Sequence, residues 1–119
     1  MTLNELQAKC IETEPKYLTR GQEALLGLMG LNGAAGKCLD LYKKTLFDGS
    51  VLDEKAVVEA LSDAVCYICI TAHAVDVDLE SVMKKVYEQT KAVSARETPV
   101  ANVDERTKEA NSDTGDRKD

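Results

Sequence analysis

The chain carries a single histidine, His73, and no stretch of lysine and arginine interleaved with aromatic residues. The first scarcity limits zinc chemistry, because closed zinc sites draw three or four ligands from cysteine and histidine. The second, with a formal net charge of -6, argues against a nucleic-acid backbone as partner. No basic segment followed by an apolar run opens the sequence, so a signal peptide is not expected. The longest apolar-leaning run, Ala64 to Val75, contains Thr71 and His73 and is too short to span a bilayer. These absences point to a cytoplasmic protein with no membrane partner. There is no phosphate loop either, because Gly30 to Gly36 sits within a helix pattern rather than after a strand. No alternating β-pattern and no internal repeat is present.

Four cysteines remain: Cys10, Cys38, Cys66 and Cys69. Cys66-Tyr67-Ile68-Cys69 has the spacing of a metal or redox pair but lies inside an apolar helical run. Small hydrophobic core residues in a reducing compartment are the expectation. At 119 residues the chain fits one domain. A domain of this size buries only about two-thirds of the surface its unfolded chain exposes, so association between copies would help it.

Helical periodicity divides the chain into four segments. Thr2-Leu3-Asn4-Glu5 reads as a capping box, and Leu3, Leu6, Cys10 and Ile11 continue it to a stop at Pro15. A second helix is predicted over residues 22–46 despite Gly27, Gly30, Gly33 and Gly36. Each glycine costs about 1 kcal/mol against alanine, so close helix–helix approach must compensate. After the turn at 47–50, a third helix runs from the cap Asp53 to Val75. Its first half is amphipathic through Val57, Leu61, Ala64, Val65 and Ile68. Its second half is apolar nearly all round and must be covered on several sides. Asp78 caps a fourth helix with Leu79, Val82, Val86 and Val93 on one face. Residues 94–119 keep only small apolar residues among dense charge, and a flexible tail is predicted there. The expected architecture is all-α: a helical domain over 1–93, completed by dimerisation, and a charged tail over 94–119.

Several pieces in this order carry a resemblance: the opening Met1-Thr2-Leu3-Asn4-Glu5-Leu6-Gln7, Gly30-Leu31-x-Gly33-x-Ala35-Gly36, Asp40-Leu41-x-Lys43-Lys44, Leu61-x-Asp63-x-x-x-Tyr67, and Asp78-Leu79-Glu80. Over residues 1–93 the chain resembles the MazG-like family of nucleoside triphosphate pyrophosphohydrolases. The resemblance implies a four-helix bundle and a Mg²⁺ cluster that releases pyrophosphate from a nucleotide. In that family the second helix carries Glu-x-x-Glu and the third Glu-x-x-Asp. Acidic residues three apart share a helix face, so two such helices aim four carboxylates at hard, oxygen-seeking metal ions.

The departures fall at the chemistry. Ala34 and Lys37 stand where the first acidic pair belongs, Ala60 where the third acid belongs, and only Asp63 matches. Val86 stands where many relatives carry an asparagine that helps hold the nucleotide. Four carboxylates sum to about -4, whereas Asp63 with Lys37 sums to about zero. An ammonium there repels a divalent cation and is expected to pair with Asp63 across the helices. A displaced ligand set of Asp40, Glu59 and Asp63 is the alternative, since Glu59 and Asp63 are four apart on one helix. Lys37, Tyr67 and Val86 would line any surviving nucleotide pocket, although packing explains Tyr67 equally.

Glutamate-to-alanine changes could be an experimenter's work, but Lys37 and Val86 do not fit that origin. The expectation is therefore a degenerate relative without catalysis and with no cofactor. It would be a homodimer or larger oligomer, holding a nucleotide or another protein in a bacterial or phage-infected cell, as a phage-type inhibitor would. The alternative is an active Mg²⁺-dependent enzyme that cleaves (d)NTP to (d)NMP and pyrophosphate through the displaced carboxylates. His73, alone on an apolar helix, reads as a satisfied core or interface residue.

Overall fold

A computed structural model describes residues 1–96. Among the described residues there are four helices and no strands: α1 (Leu3–Ile11), α2 (Arg20–Asp48), α3 (Glu54–Ala74) and α4 (Leu79–Ser94). The described residues divide into two units, Met1–Val82 and a second that begins at Met83. The division falls inside α4, whereas sequence composition changes after residue 93. Beyond residue 96 the predicted tail lies outside the described residues.

Side-chain caps set the helix ends. Thr2 and Glu5 form the expected capping box, with Glu5 N–H donating to Thr2 Oγ1 at 3.1 Å and Thr2 N–H to Glu5 Oε2 at 2.9 Å. A second box, Thr19 with Gln22, starts α2 two residues earlier than periodicity alone predicts. Gly49, at φ +70, takes the left-handed position that ends α2 after Asp48. Asp53 caps α3 by accepting from Ala56 N–H at 3.1 Å. The end of α3 is a Schellman turn, in which Val77 N–H donates to Ala72 O and Asp76 N–H to His73 O. That turn places Asp76 at φ +59, a conformation aspartate tolerates better than most residues.

In the first unit α2 packs on α3, and α1 on α3. Gln7, buried on α1, ties the layers together. Its amide donates to Cys69 O at 3.2 Å and Val77 O at 3.0 Å, and its oxygen accepts from Leu79 N–H at 3.0 Å. Gln7 thereby satisfies a donor at the start of α4 that would otherwise be orphaned beside fully buried Leu79. The four cysteines are free thiols. Cys10 and Cys69 are buried, and burial pushes their thiols and that of Cys66 upward. They behave as small apolar residues.

Of the five glycines in the observed α2, which also takes in Gly21, only Gly27 and Gly30 serve close approach. A Cβ at Gly27 would sit 3.0 Å from Thr71 N and against Thr71 Oγ1, and one at Gly30 would strike the Tyr67 ring. Gly33 and Gly36 face open space. Gly27→Ala is expected to cost about 1–3 kcal/mol, because backbone must move to admit the methyl group. Gly33→Ala should instead gain up to about 1 kcal/mol of helix propensity. Urea denaturation of the two variants checks this, and equal effects would contradict the packing.

Helix α3, at 21 residues, is longer than the apolar run within it and is long and apolar enough to cross a membrane by length and composition. Core helices meet the same criteria. Its buried residues are Ala60, Cys69, Ile70, Ala72 and Ala74.

Candidate functional site

The glycine contacts set the register of α2 against α3. Gly27 lies against Thr71 and Gly30 against Tyr67, so residue numbers across the antiparallel pair sum to about 97. Continuing at 1.5 Å per residue, Ala34 comes level with Asp63 and Lys37 with Ala60. Ala34, Lys37, Ala60 and Asp63 thus fall on one stretch of the antiparallel pair. Ala34 is buried and Ala60 is 0% exposed, so the space that acidic side chains would need is filled by helix–helix packing.

Lys37 and Asp63, in contrast, are both exposed. The ion pair expected between them is absent among the described residues, which corrects that expectation. Lys37 faces the level of Ala60 rather than Asp63, and a hydrated lysine gains little from a surface pair. The displaced set fares no better. Asp40, Glu59 and Asp63 are exposed, and they do not form one of the clusters within 4.8 Å that could hold a metal among the described residues. Tyr67 is half-buried over Gly30. Val86 lies in the second unit and is exposed.

A different cluster does form. Glu14 follows α1, Glu23 lies in the first turn of α2, and His73 in the last turn of α3. His73 Nδ1 stands 3.0 and 2.9 Å from the two oxygens of Glu23. Ligand atoms of all three residues lie within 4.8 Å of one another. They border a pocket of about 470 Å³ whose apolar wall includes Ile11, Pro15 and Leu18. Arg20, at its rim, pairs with Asp76.

Burial, and then the neighbouring Glu23 carboxylate, push the Glu14 carboxyl up to about 7 from 4.5. Burial also opposes ionisation of Glu23, but Glu14, His73 and Arg20 outweigh it, and its net shift is downward. Glu23 was detectable in the sequence as an acid four residues before Gly27, on the face of α2 that meets α3. Glu14, in a turn before a proline, gave no periodic signal.

A pH dependence follows from these opposite shifts. The raised Glu14 favours the folded state fully below about 4.5, and that contribution is lost as pH rises through about 7. The lowered Glu23 contributes above the ordinary carboxylate range and loses its contribution only as pH falls below it. Between about pH 5 and about pH 8 the Glu14 effect is therefore left alone, and the urea midpoint should fall. Glu14→Gln should flatten this slope. A midpoint that rises over the same range would contradict the assignment.

The outer surfaces of α2 and α3 form a second feature. On α2, Leu25, Leu28, Asn32, Ala35, Leu39, Tyr42 and Leu46 recur at alternating spacings of three and four, and all are exposed. This is a heptad seam with an asparagine at one core position, roughly 33 Å long at 1.5 Å per residue. On α3, Val58, Leu61, Val65, Ile68, Ala72 and Val75 repeat the spacing. Val58, Leu61, Val65 and Val75 are exposed, while Ala72 is buried. At 100° per residue, the seams lie about 140° and 110° round their helices from the α2–α3 contact. Because the helices are antiparallel, both seams turn to the same side of the hairpin.

No family model, no curated protein and no solved structure matches the chain.

Proposed function

We propose that this chain is a non-catalytic, self-associating helical module of MazG-like architecture, built to hold a protein or nucleotide partner rather than to cleave a triphosphate. The exposed heptad seam on α2, with the exposed Val58, Leu61 and Val65 beside it on α3, carries this reading. Soluble monomers rarely expose contiguous apolar surface on this scale. A second copy presenting the same two seams would complete a four-helix bundle, the arrangement for which 3–4 spacing is suited. An asparagine among the leucines limits register and copy number at some cost in stability.

The absence of catalysis rests on the seam at Ala34 and Ala60, where the MazG-like family would place carboxylates. A Mg²⁺ ion requires several oxygen ligands, and Asp63 would supply one. With Mg²⁺ or Mn²⁺ and a panel of NTPs and dNTPs, no pyrophosphate release is expected. Turnover that disappears in Asp63→Ala would overturn this reading. On this reading such a protein would act in the cytoplasm of a bacterial or phage-infected cell.

A further inference from the structure

We propose that Glu14, Glu23 and His73 form a binding site for a divalent transition-metal ion such as Zn²⁺, at the opposite side of the hairpin from the heptad seams. Three observations support it. The donor set is mixed, one imidazole and two carboxylates, a combination suited to a borderline ion such as zinc. The spacing fits: Zn²⁺ bonds of about 2.0–2.2 Å place tetrahedral ligands about 3.3–3.6 Å apart. The His73–Glu23 separations of 2.9 and 3.0 Å and the outer limit of 4.8 Å bracket that range. Shifts of about 1 Å in long glutamate side chains would close the shell.

The third observation is a buried polar atom without a partner. Glu14 Oε2 has less than 1 Å² of accessible surface and accepts no hydrogen bond. A buried acceptor left unmatched costs about 1–3 kcal/mol; without an ion, a proton shared between Glu14 and Glu23 relieves it, and a cation between the two carboxylates would take that proton's place. Beside it the Glu23 side chain is only 9% exposed, while His73 is 49% exposed. The site is closed on the carboxylate side and open on the imidazole side, which gives an ion a way in. Three protein ligands leave a position facing the pocket bounded by Ile11, Pro15 and Leu18, where a water or a small ligand would complete the shell. The high Glu14 carboxyl agrees with this arrangement, since a proton then occupies the place a cation would take.

The test is titration of the full chain with Zn²⁺ by calorimetry and with Co²⁺ by absorption spectroscopy, at neutral pH under reducing conditions. One ion per chain is expected, with a Co²⁺ spectrum of low coordination number and no thiolate charge-transfer band. Glu14→Gln and His73→Gln should each weaken binding at least about tenfold while circular dichroism stays helical. No binding up to about 1 mM ion, or affinity unchanged in both variants, would overturn the proposal. A thiolate band would also overturn it, by moving the ion to Cys10, Cys66 and Cys69. Should a variant fail to fold, the wild-type Co²⁺ spectrum decides between nitrogen–oxygen and sulfur ligation.

Discussion

Ala60→Glu is expected to lower folding stability by at least about 3 kcal/mol, because it drives a carboxylate into a fully closed helix–helix seam. Ala60 has no exposed surface, and the register brings it level with Lys37 on the facing helix. The ammonium of Lys37 is exposed and offers a glutamate little compensation unless the helices part. The triple variant Ala34→Glu, Lys37→Glu, Ala60→Glu goes further, since it places four carboxylates, with Asp63, in the same stretch. It is expected to unfold without rescue by Mg²⁺. Urea titrations with and without the ion measure both effects. A loss under about 1 kcal/mol for the single change, or full rescue of the triple variant, would show that the seam still has room for a metal cluster.

The second large effect is expected on the opposite surface. Leu28 and Leu39 are 52% and 59% exposed and belong to the α2 heptad seam. Substituting both by arginine should leave each hairpin folded, because neither side chain contributes to the α2–α3 contact. In a paired assembly the same change buries two charges per copy without partners. Dissociation should strengthen at least about 100-fold, the equivalent of about 2.7 kcal/mol. Sedimentation velocity together with circular dichroism separates the outcomes: helicity retained and mass reduced. Unchanged mass would mean that copies do not meet through this surface.

Much of the fold was legible in the residues because it rests on local chemistry. Thr2 with Glu5, Asp53 and Asp78 are caps whose partners lie three residues away. The apolar second half of α3 already demanded cover on several sides. The α2 glycines misled in part, since sequence cannot tell that Gly27 and Gly30 meet α3 while Gly33 and Gly36 meet open space.

The candidate sites were less legible. The register of α2 on α3 brings Ala34, Lys37, Ala60 and Asp63 to one stretch, but the Lys37–Asp63 pair does not form. Such a pairing depends on where long side chains point after packing, and an exposed lysine is free to follow the solvent. The Glu14–Glu23–His73 cluster joins a turn residue after α1 to one end each of α2 and α3. No periodicity links a turn residue, the first turn of α2 and the last turn of α3. It emerges only when α2 and α3 have taken their register.

Sedimentation equilibrium of the unmodified chain bears most directly on self-association. The monomer mass is 13.0 kDa, and paired heptad seams predict a species of at least twice that at micromolar concentration. A single species of 13.0 kDa, persisting to about 100 μM, where even a weak standard interface would be populated, would contradict it.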